Sequence, residues 1–233
     1  ANTDVPAGVG RTARFDNVLP VAQATSPVSG TYQNSVAALY GIAYDTGTVD
    51  SVQVLIKATG YEKTWNGTYL NSPSDWDGDS ATKYLHWSTA TYAAGKWTVA
   101  LPSLDPVKNS RIMVWTRAID RAGNWQASPT QAQVDNNLAA DGSAAYHFYF
   151  DNTNPETYVT VPDSYMVANA TGVLKGTATD PGLPEPSGAA SVKLRLKRSD
   201  GAYYNFDTSS WDALSTYVYD PTGVSPWSRN INI

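Results

Sequence analysis

The sequence contains no cysteine. No disulfide framework can hold it, so stability must come from packing, bound ions or neighbouring subunits. Glutamate is nearly as scarce, with three Glu against 18 Asp. Glu forms helices, whereas Asp is short, caps turns and accepts from nearby backbone N–H groups. A chain poor in Glu, Lys and Met but rich in Asp, Asn, Ser, Thr and Gly reads as strands and turns. No apolar run approaches the ~20 residues of a membrane-spanning helix. The opening ANTDVPAG has neither the charged nor the apolar region of a signal peptide, as a mature N-terminus after cleavage also would not. Positive charge is lacking too: a net charge of −5 argues against nucleic acid and anionic membranes as partners.

Catalytic sets are equally thin. There are two histidines, His86 and His147, and no G-x-S-x-G, H-E-x-x-H or P-loop pattern. A lone His on a strand is usually a satisfied surface or core residue. Asp is abundant enough that some pair will lie close, so closeness alone is no sign of glycoside chemistry. The chain reads as non-enzymatic.

What is present is aromatic. Eight Trp and 15 Tyr suit pleated surfaces, and 233 residues fit one large or two medium domains. The Trp-, Tyr-, Asn- and Thr-rich, Cys-free composition points to a secreted or cell-surface protein. The order within the chain says more. FDNVLP (Phe15 to Pro20) returns as FDNTNP (Phe150 to Pro155), 135 positions later. At the same offset LYGIAYD (Leu39 to Asp45) falls on LKGTATD (Leu174 to Asp180). DSVQVLIK (Asp50 to Lys57) answers ASVKLRLK (Ala190 to Lys197), after an extra PGLPEPSGA in the second copy. GKWTVAL (Gly95 to Leu101) resembles SPWSRNI (Ser225 to Ile231). Blocks repeating in one order mark two copies of one domain. The division is an arm over 1–14, a first domain over 15–150 and a second over 151–233.

Each copy reads as β. Val36, Ala38, Tyr40, Ile42 and Tyr44 alternate with other residues, which predicts a strand with that set on its buried face. Val52, Val54 and Ile56 alternate, as do Val192, Leu194 and Leu196, and so do Ile112, Val114 and Thr116 within RIMVWTRAI. Turn clusters such as YDTGTVD, DRAGN and DPTGVSP separate the runs. Only SSWDALSTY (Ser209 to Tyr217) is compatible with a short helix.

The order FDNxxP, GxAxD, VxVxIK, W and AxDxxGN (AIDRAGN, Ala118 to Asn124) resembles the bacterial Ig-like, cadherin-like repeats of large secreted or cell-surface proteins, adhesins and surface-layer proteins among them. The resemblance covers nearly all of residues 15–233. It implies tandem all-β sandwiches of about seven strands each, used as spacer, adhesin segment or surface-layer module, and it implies no particular ligand. The second copy departs from the pattern. It stops at Ile233, without its own AxDxxGN, so its last two strands are expected to be missing. Another strand would have to complete it, from the N-terminal arm (RTARFDN) or from a further copy of the chain. Homo-oligomers or other copies of the repeat are therefore the expected partners.

Calcium is the sharpest ligand candidate. If Asp45 ends the second strand and Asp120 the sixth, both lie at the pole where the chain enters with Asp16 and Asn17, and Asn124 sits in the adjoining turn. Asp151, Asn152 and Asp180 repeat part of the set at the interdomain joint. Hard oxygen ligands gathered at one pole suit Ca²⁺, and cadherin-like repeats place calcium at such joints. The plainer reading is that these side chains cap turns, since Ca²⁺ takes about six or more oxygens and each pole offers fewer. DWDGDS (Asp75 to Ser80) has Asp at alternate positions, but its Gly falls between ligands and no Glu closes the loop, so it reads as a polar loop.

A second function class rests on tryptophan. Trp65, Trp76 and Trp87, if exposed in line, would stack on sugar rings, as in a carbohydrate-binding accessory region of a secreted polysaccharide-degrading enzyme. Core packing is the commoner fate of such rings. Asn66 (NGT) and Asn169 (NAT) are N-glycosylation acceptors where the host glycosylates.

Overall fold

The computed structural model describes residues 14–59, 68–72, 75–77, 86–162, 171–182, 186–213 and 217–232. In the first sandwich the strands are β1 (Val21–Ser26), β2 (Tyr32–Gln33), β3 (Ala38–Tyr44), β4 (Val49–Thr59), β5 (Thr68–Ser72), β6 (Asp75–Asp77), β7 (Ser88–Thr89), β8 (Thr91–Ala93), β9 (Lys96–Ala100) and β10 (Ser110–Asp120). Helix α1 (Gln131–Asp135) and β11 (Tyr146–Phe150) complete it. The second part holds β12 (Glu156–Val161), β13 (Thr171–Thr179), β14 (Tyr203–Asn205), β15 (Ser210–Asp212) and β16 (Trp227–Asn232). The fold is all-β, as the composition predicts.

One sheet of the first sandwich runs β1-β3-β9-β8; the other runs β2-β11-β10-β4-β5-β6, with β7 also on β4. Neighbours pair antiparallel except β2, which runs parallel to β11. Between the sheets lie Leu39, Val52, Val54, Ile56, Trp97, Ile112, Val114 and Phe148, all buried. The outer face of β4 and β10 is covered as well. Leu55, Met113 and Trp115 pack there with Val134 of α1 and Ala145. This is why RIMVWTRAI shows apolar residues on both alternations. Buried Lys57 ties the cover down, its Nζ donating to Val134 O and Asn137 Oδ1, each at 3.1 Å. Helix α1 starts on a capping box in which Thr130 and Gln133 bond reciprocally.

Strand β3 corrects one expectation. The pleat is as predicted, but the buried set is Leu39, Gly41 and Ala43, whereas Tyr40, Ile42 and Tyr44 face outward. The cause is Trp97. Its ring lies flat on Gly41, where an added Cβ would stand 2.2 Å from ring carbon Cε2 and 2.1 Å from Gln23 O. Only glycine admits the indole and the neighbouring strand together. A second correction concerns 209–217: Ser210–Asp212 pair as strand β15 with β14, not as a helix, and 214–216 lie outside the described residues.

The repeat is present in the hydrogen-bond register. β1 pairs β3 from Val21↔Tyr44, with a bulge between Ala24 and Ser26. β12 pairs β13 from Glu156↔Thr179, with its bulge between Val159 and Val161, so every position is shifted by 135. Gly41 lies opposite Trp97 and Gly176 opposite Trp227. At Gly176 a Cβ would meet Tyr158 O at 2.1 Å and the Trp227 ring at 2.2 Å. The second core gathers Leu174, Ala178, Val192, Tyr204, Trp227 and Ile231. Its other layer is slighter than predicted. Residues 192–197 form no extended ladder, only a bridge from Leu194 to Tyr219 and one from Lys197 to Tyr203. Among the described residues no counterpart of β10 or β11 follows β16.

Candidate metal centre

Three chain segments meet at one pole of the first sandwich. The entry segment brings Asp16, the end of β3 brings Asp45, and the end of β10 brings Asp120. One carboxylate oxygen from each lies within 4.8 Å of the others. Asp120 is buried and the other two are half-buried. Asp120 Oδ1 accepts from Asn124 N and Oδ2 from Asn124 Nδ2, each at 2.8 Å. Asn124 Nδ2 also donates to Asp16 O at 3.1 Å, fastening the entry segment to the β10 turn. Burial pushes the Asp120 carboxyl up, but the hydrogen bonds from Asn124, Gly123 and Ala122 outweigh it and hold the group below the usual carboxylate range.

Fewer donors serve the other two acids. Gly47 N donates to Asp45 Oδ2 at 2.8 Å and Val18 N to Asp16 Oδ1 at 3.0 Å. Asp45 Oδ1 is buried with no hydrogen-bond partner. Gly47 makes the approach sterically feasible, since a Cβ there would stand 2.4 Å from Asp16 Oδ2. Three carboxylates so close repel one another unless a cation sits among them. The oxygens suit a hard divalent ion such as Ca²⁺, with water completing its shell. Asn17, next to Asp16 in the entry segment, is exposed.

At the joint the second set is arranged differently. Asp151 is buried, accepting from Ser187 N at 2.7 Å and Thr153 N at 3.0 Å. Asp180 Oδ2 accepts from Ser187 Oγ at 3.0 Å and Gly188 N at 2.6 Å. Burial raises the Asp151 carboxyl, and bonds led by the Ser187 backbone lower it by more. Neutral donors from the extra segment of the second copy thus stand where the first copy offers Asp120. Asn152 turns away and donates to Asp105 Oδ1 at 2.7 Å, which holds it outside the set. The joint is further tied by Thr153 Oγ1 donating to Asn109 Oδ1 at 2.8 Å.

Of the tryptophans singled out from sequence, Trp65 lies outside the described residues, as do the sequons at Asn66 and Asn169. Trp76 is half-buried against the first core and donates to Ser103 O at 3.2 Å. Trp87 packs on the outer core, with the Arg117 guanidinium 4.2 Å from its ring centre. The exposed ring is one the sequence reading missed. The same guanidinium lies over Trp125, 4.8 Å from its ring centre, and Trp125 is 43% exposed. Its position just after AIDRAGN was the available signal. Asp75–Asp77 form strand β6 rather than the polar loop expected there; Asp79 lies outside the described residues. His147 is half-buried, its Nδ1 3.1 Å from Ala145 O and its ring edge-on to Tyr149, a packing role.

No protein-family model matches the chain, and no curated protein matches it. A solved structure described as fibronectin(III)-like modules of Clostridium thermocellum CbhA superposes over 91% of this chain and 94% of that one. The identity is 14% and the TM-score 0.30, and nothing about function follows from that likeness.

Proposed function

We propose that the chain is a non-enzymatic structural or adhesive module of a repetitive extracellular surface protein, stiffened by calcium at the first pole. The observation that supports it is the meeting of Asp16, Asp45 and Asp120 where the chain enters the first sandwich. A cation there ties the entry segment to the ends of β3 and β10, which suits a spacer in a tandem array. At the second pole Ser187 and Gly188 donate to Asp151 Oδ2 and Asp180 Oδ2 and leave Asp180 Oδ1 buried without a partner, but the cluster of three carboxylates stands at the first pole, which is where calcium acts. Calcium bound to the native state alone raises the melting temperature, and chelation lowers it. Titration with Ca²⁺ after chelation, on the chain and on Asp120→Asn, tests this. A melting temperature indifferent to millimolar calcium in the unaltered chain would overturn the cation reading.

A second reading is an accessory module of a secreted polysaccharide-degrading enzyme. Trp125 favours it, because an exposed indole held in place by Arg117 is a stacking platform for a sugar ring. Retardation in polysaccharide-containing gels, lost in Trp125→Ala, is the outcome this reading requires.

A further inference from the structure

The two copies share an interior but not an outer surface. In both, a tryptophan lies on a glycine and one alternation of the strand points inward: Leu39, Gly41 and Ala43 in β3, Leu174, Gly176 and Ala178 in β13. The outward alternation differs. β3 shows Tyr40, Ile42 and Tyr44, which are 52%, 38% and 53% exposed. At the same register positions, 135 residues on, β13 shows Lys175, Thr177 and Thr179. This strand is thus also built with a polar outer face, and packing does not call for the tyrosines. Exposed apolar side chains in line on an otherwise polar sheet mark an interaction surface.

The surroundings narrow the occupant. β3 is an inner strand, paired with β1 on one side and β9 on the other, so its backbone cannot take up a further peptide strand. The strip offers roughly 300 Å², about half of each tyrosine and part of Ile42, against the ~800 Å² that each partner brings to a stable protein interface. Around it the face is polar: Gln23 and Lys96 flank Ile42, and Thr98 lies beside Tyr40. Of the residues that the register sets beside β3, Lys96 alone is charged, too little for an anion-binding patch. Tyr40 and Tyr44 are four residues apart, about 13 Å along the strand. That exceeds one sugar ring and suits two rings of one extended chain. At the Tyr40 end the strip runs into an open cleft of about 390 Å³, with Ser26, Gln33 and Ser35 in its lining.

We propose that the outer face of β3 is a glycan-binding platform for a linear, neutral, β-1,4-linked oligosaccharide. Tyr40 and Tyr44 each present an apolar ring face to a sugar and keep a hydroxyl in water. Gln23, Lys96 and Thr98 stand alongside to hydrogen-bond the sugar hydroxyls. The β-1,4 linkage keeps successive rings in an extended ribbon, as a row of contacts on one strand requires. The site goes beyond the adhesive reading by naming what is held. It is separate from Trp125, whose partner Arg117 lies on β10 of the other sheet, and it stands whether or not a cation binds at the first pole.

The test titrates cellohexaose, xylohexaose and chitohexaose into the intact chain, followed by calorimetry and by backbone amide shifts. At least one binds, and the shifts centre on Tyr40 to Tyr44 rather than on Thr177 and Thr179. Tyr40→Ala and Tyr44→Ala each weaken binding by about tenfold. The triple variant Tyr40→Lys, Ile42→Thr and Tyr44→Thr, which carries the outer face of the second copy, stays folded by thermal unfolding and loses binding. No binding of any of the three hexasaccharides overturns the proposal. So does unchanged affinity in both single variants, which settles the matter even if the triple variant unfolds. Binding lost in Trp125→Ala but kept in the triple variant would assign the glycan to Trp125 and overturn this site. Self-association abolished by the triple variant, with no hexasaccharide bound, would assign the face to a second copy of the chain and overturn the glycan.

Discussion

Trp97 and Trp227 allow one interaction to be isolated. The two rings lie on equivalent glycines, in equivalent registers, and are 2% and 3% exposed. They differ in one hydrogen bond. Trp97 Nε1 donates to Ile42 O at 3.2 Å, whereas no acceptor among the described residues reaches the buried Trp227 Nε1. Replacing each with Phe removes the same part of the ring, so the packing losses nearly cancel in the comparison. At Trp97 the change also forfeits a hydrogen bond, a net loss of about 0.5–1.5 kcal/mol. At Trp227 it removes a buried unsatisfied donor, which relieves about 1–3 kcal/mol. Trp97→Phe should therefore cost about 1.5–4.5 kcal/mol more than Trp227→Phe. Native-state hydrogen exchange measures this, because β3 and β13 amides report the opening of their own sandwiches separately. Equal costs, or a larger cost at Trp227, would refute the reasoning.

Gly41→Ala and Gly176→Ala should each destabilise their own sandwich by about 1–3 kcal/mol or more, because the new methyl meets a backbone oxygen as well as an indole; removing Trp97 should relieve Gly41→Ala only in part, as exchange of β3 amides would show. Gly47→Ala should weaken the stabilisation by calcium without altering any charge, since its methyl displaces Asp16; thermal unfolding with and without Ca²⁺ measures this. Stability should fall in acid: the carboxyls of Asp120 and Asp151 are held below their unfolded value, so their contribution is present above about pH 4 and is lost as pH drops through the folded values. Denaturant titrations between neutral and acid pH should show that loss, reduced in Asp120→Asn. Thr130→Ala removes the cap of α1 and should cost about 1 kcal/mol, read by chemical denaturation.

Much of this was legible in the sequence because it is written in local periodicity and in repetition. The FDN motifs, the Gly41 and Gly176 blocks and the two tryptophans give the tandem all-β plan. The placement of Asp45 and Asp120 at strand ends followed from counting along the strands. What local pattern could not reveal was competition between faces. β3 has apolar side chains on both alternations, and the outcome turned on Trp97 needing the space above Gly41, a contact made across two strands. Likewise α1 has five residues, too few to show a helical period, and only its packing over Leu55 and Trp115 explains the double-sided burial of β4 and β10. Ser209 to Tyr217 has helical composition, but Ser210–Asp212 finds a partner in β14 instead. Asn152 and the segment at Ser187 were not separable by sequence, because which oxygen meets which donor depends on how the joint closes.

The parallel contact of β2 with β11 has a mechanical consequence. Three backbone bonds join the entering and leaving segments of the first sandwich: Gly30 N to His147 O, Tyr149 N to Thr31 O and Asp151 N to Gln33 O. Tyr32 stacks on Tyr149 beside them. Because the two segments run in the same direction, tension applied to the chain on either side of the sandwich pulls them past each other in shear. The bonds must then yield together, whereas an antiparallel hairpin pulled at its open end would unzip one bond at a time. Resistance to force then depends on the unfolding rate rather than on equilibrium stability. Tension arriving from the N-terminal side meets the β1–β3 ladder first, so in the first sandwich this small patch resists shear behind that ladder.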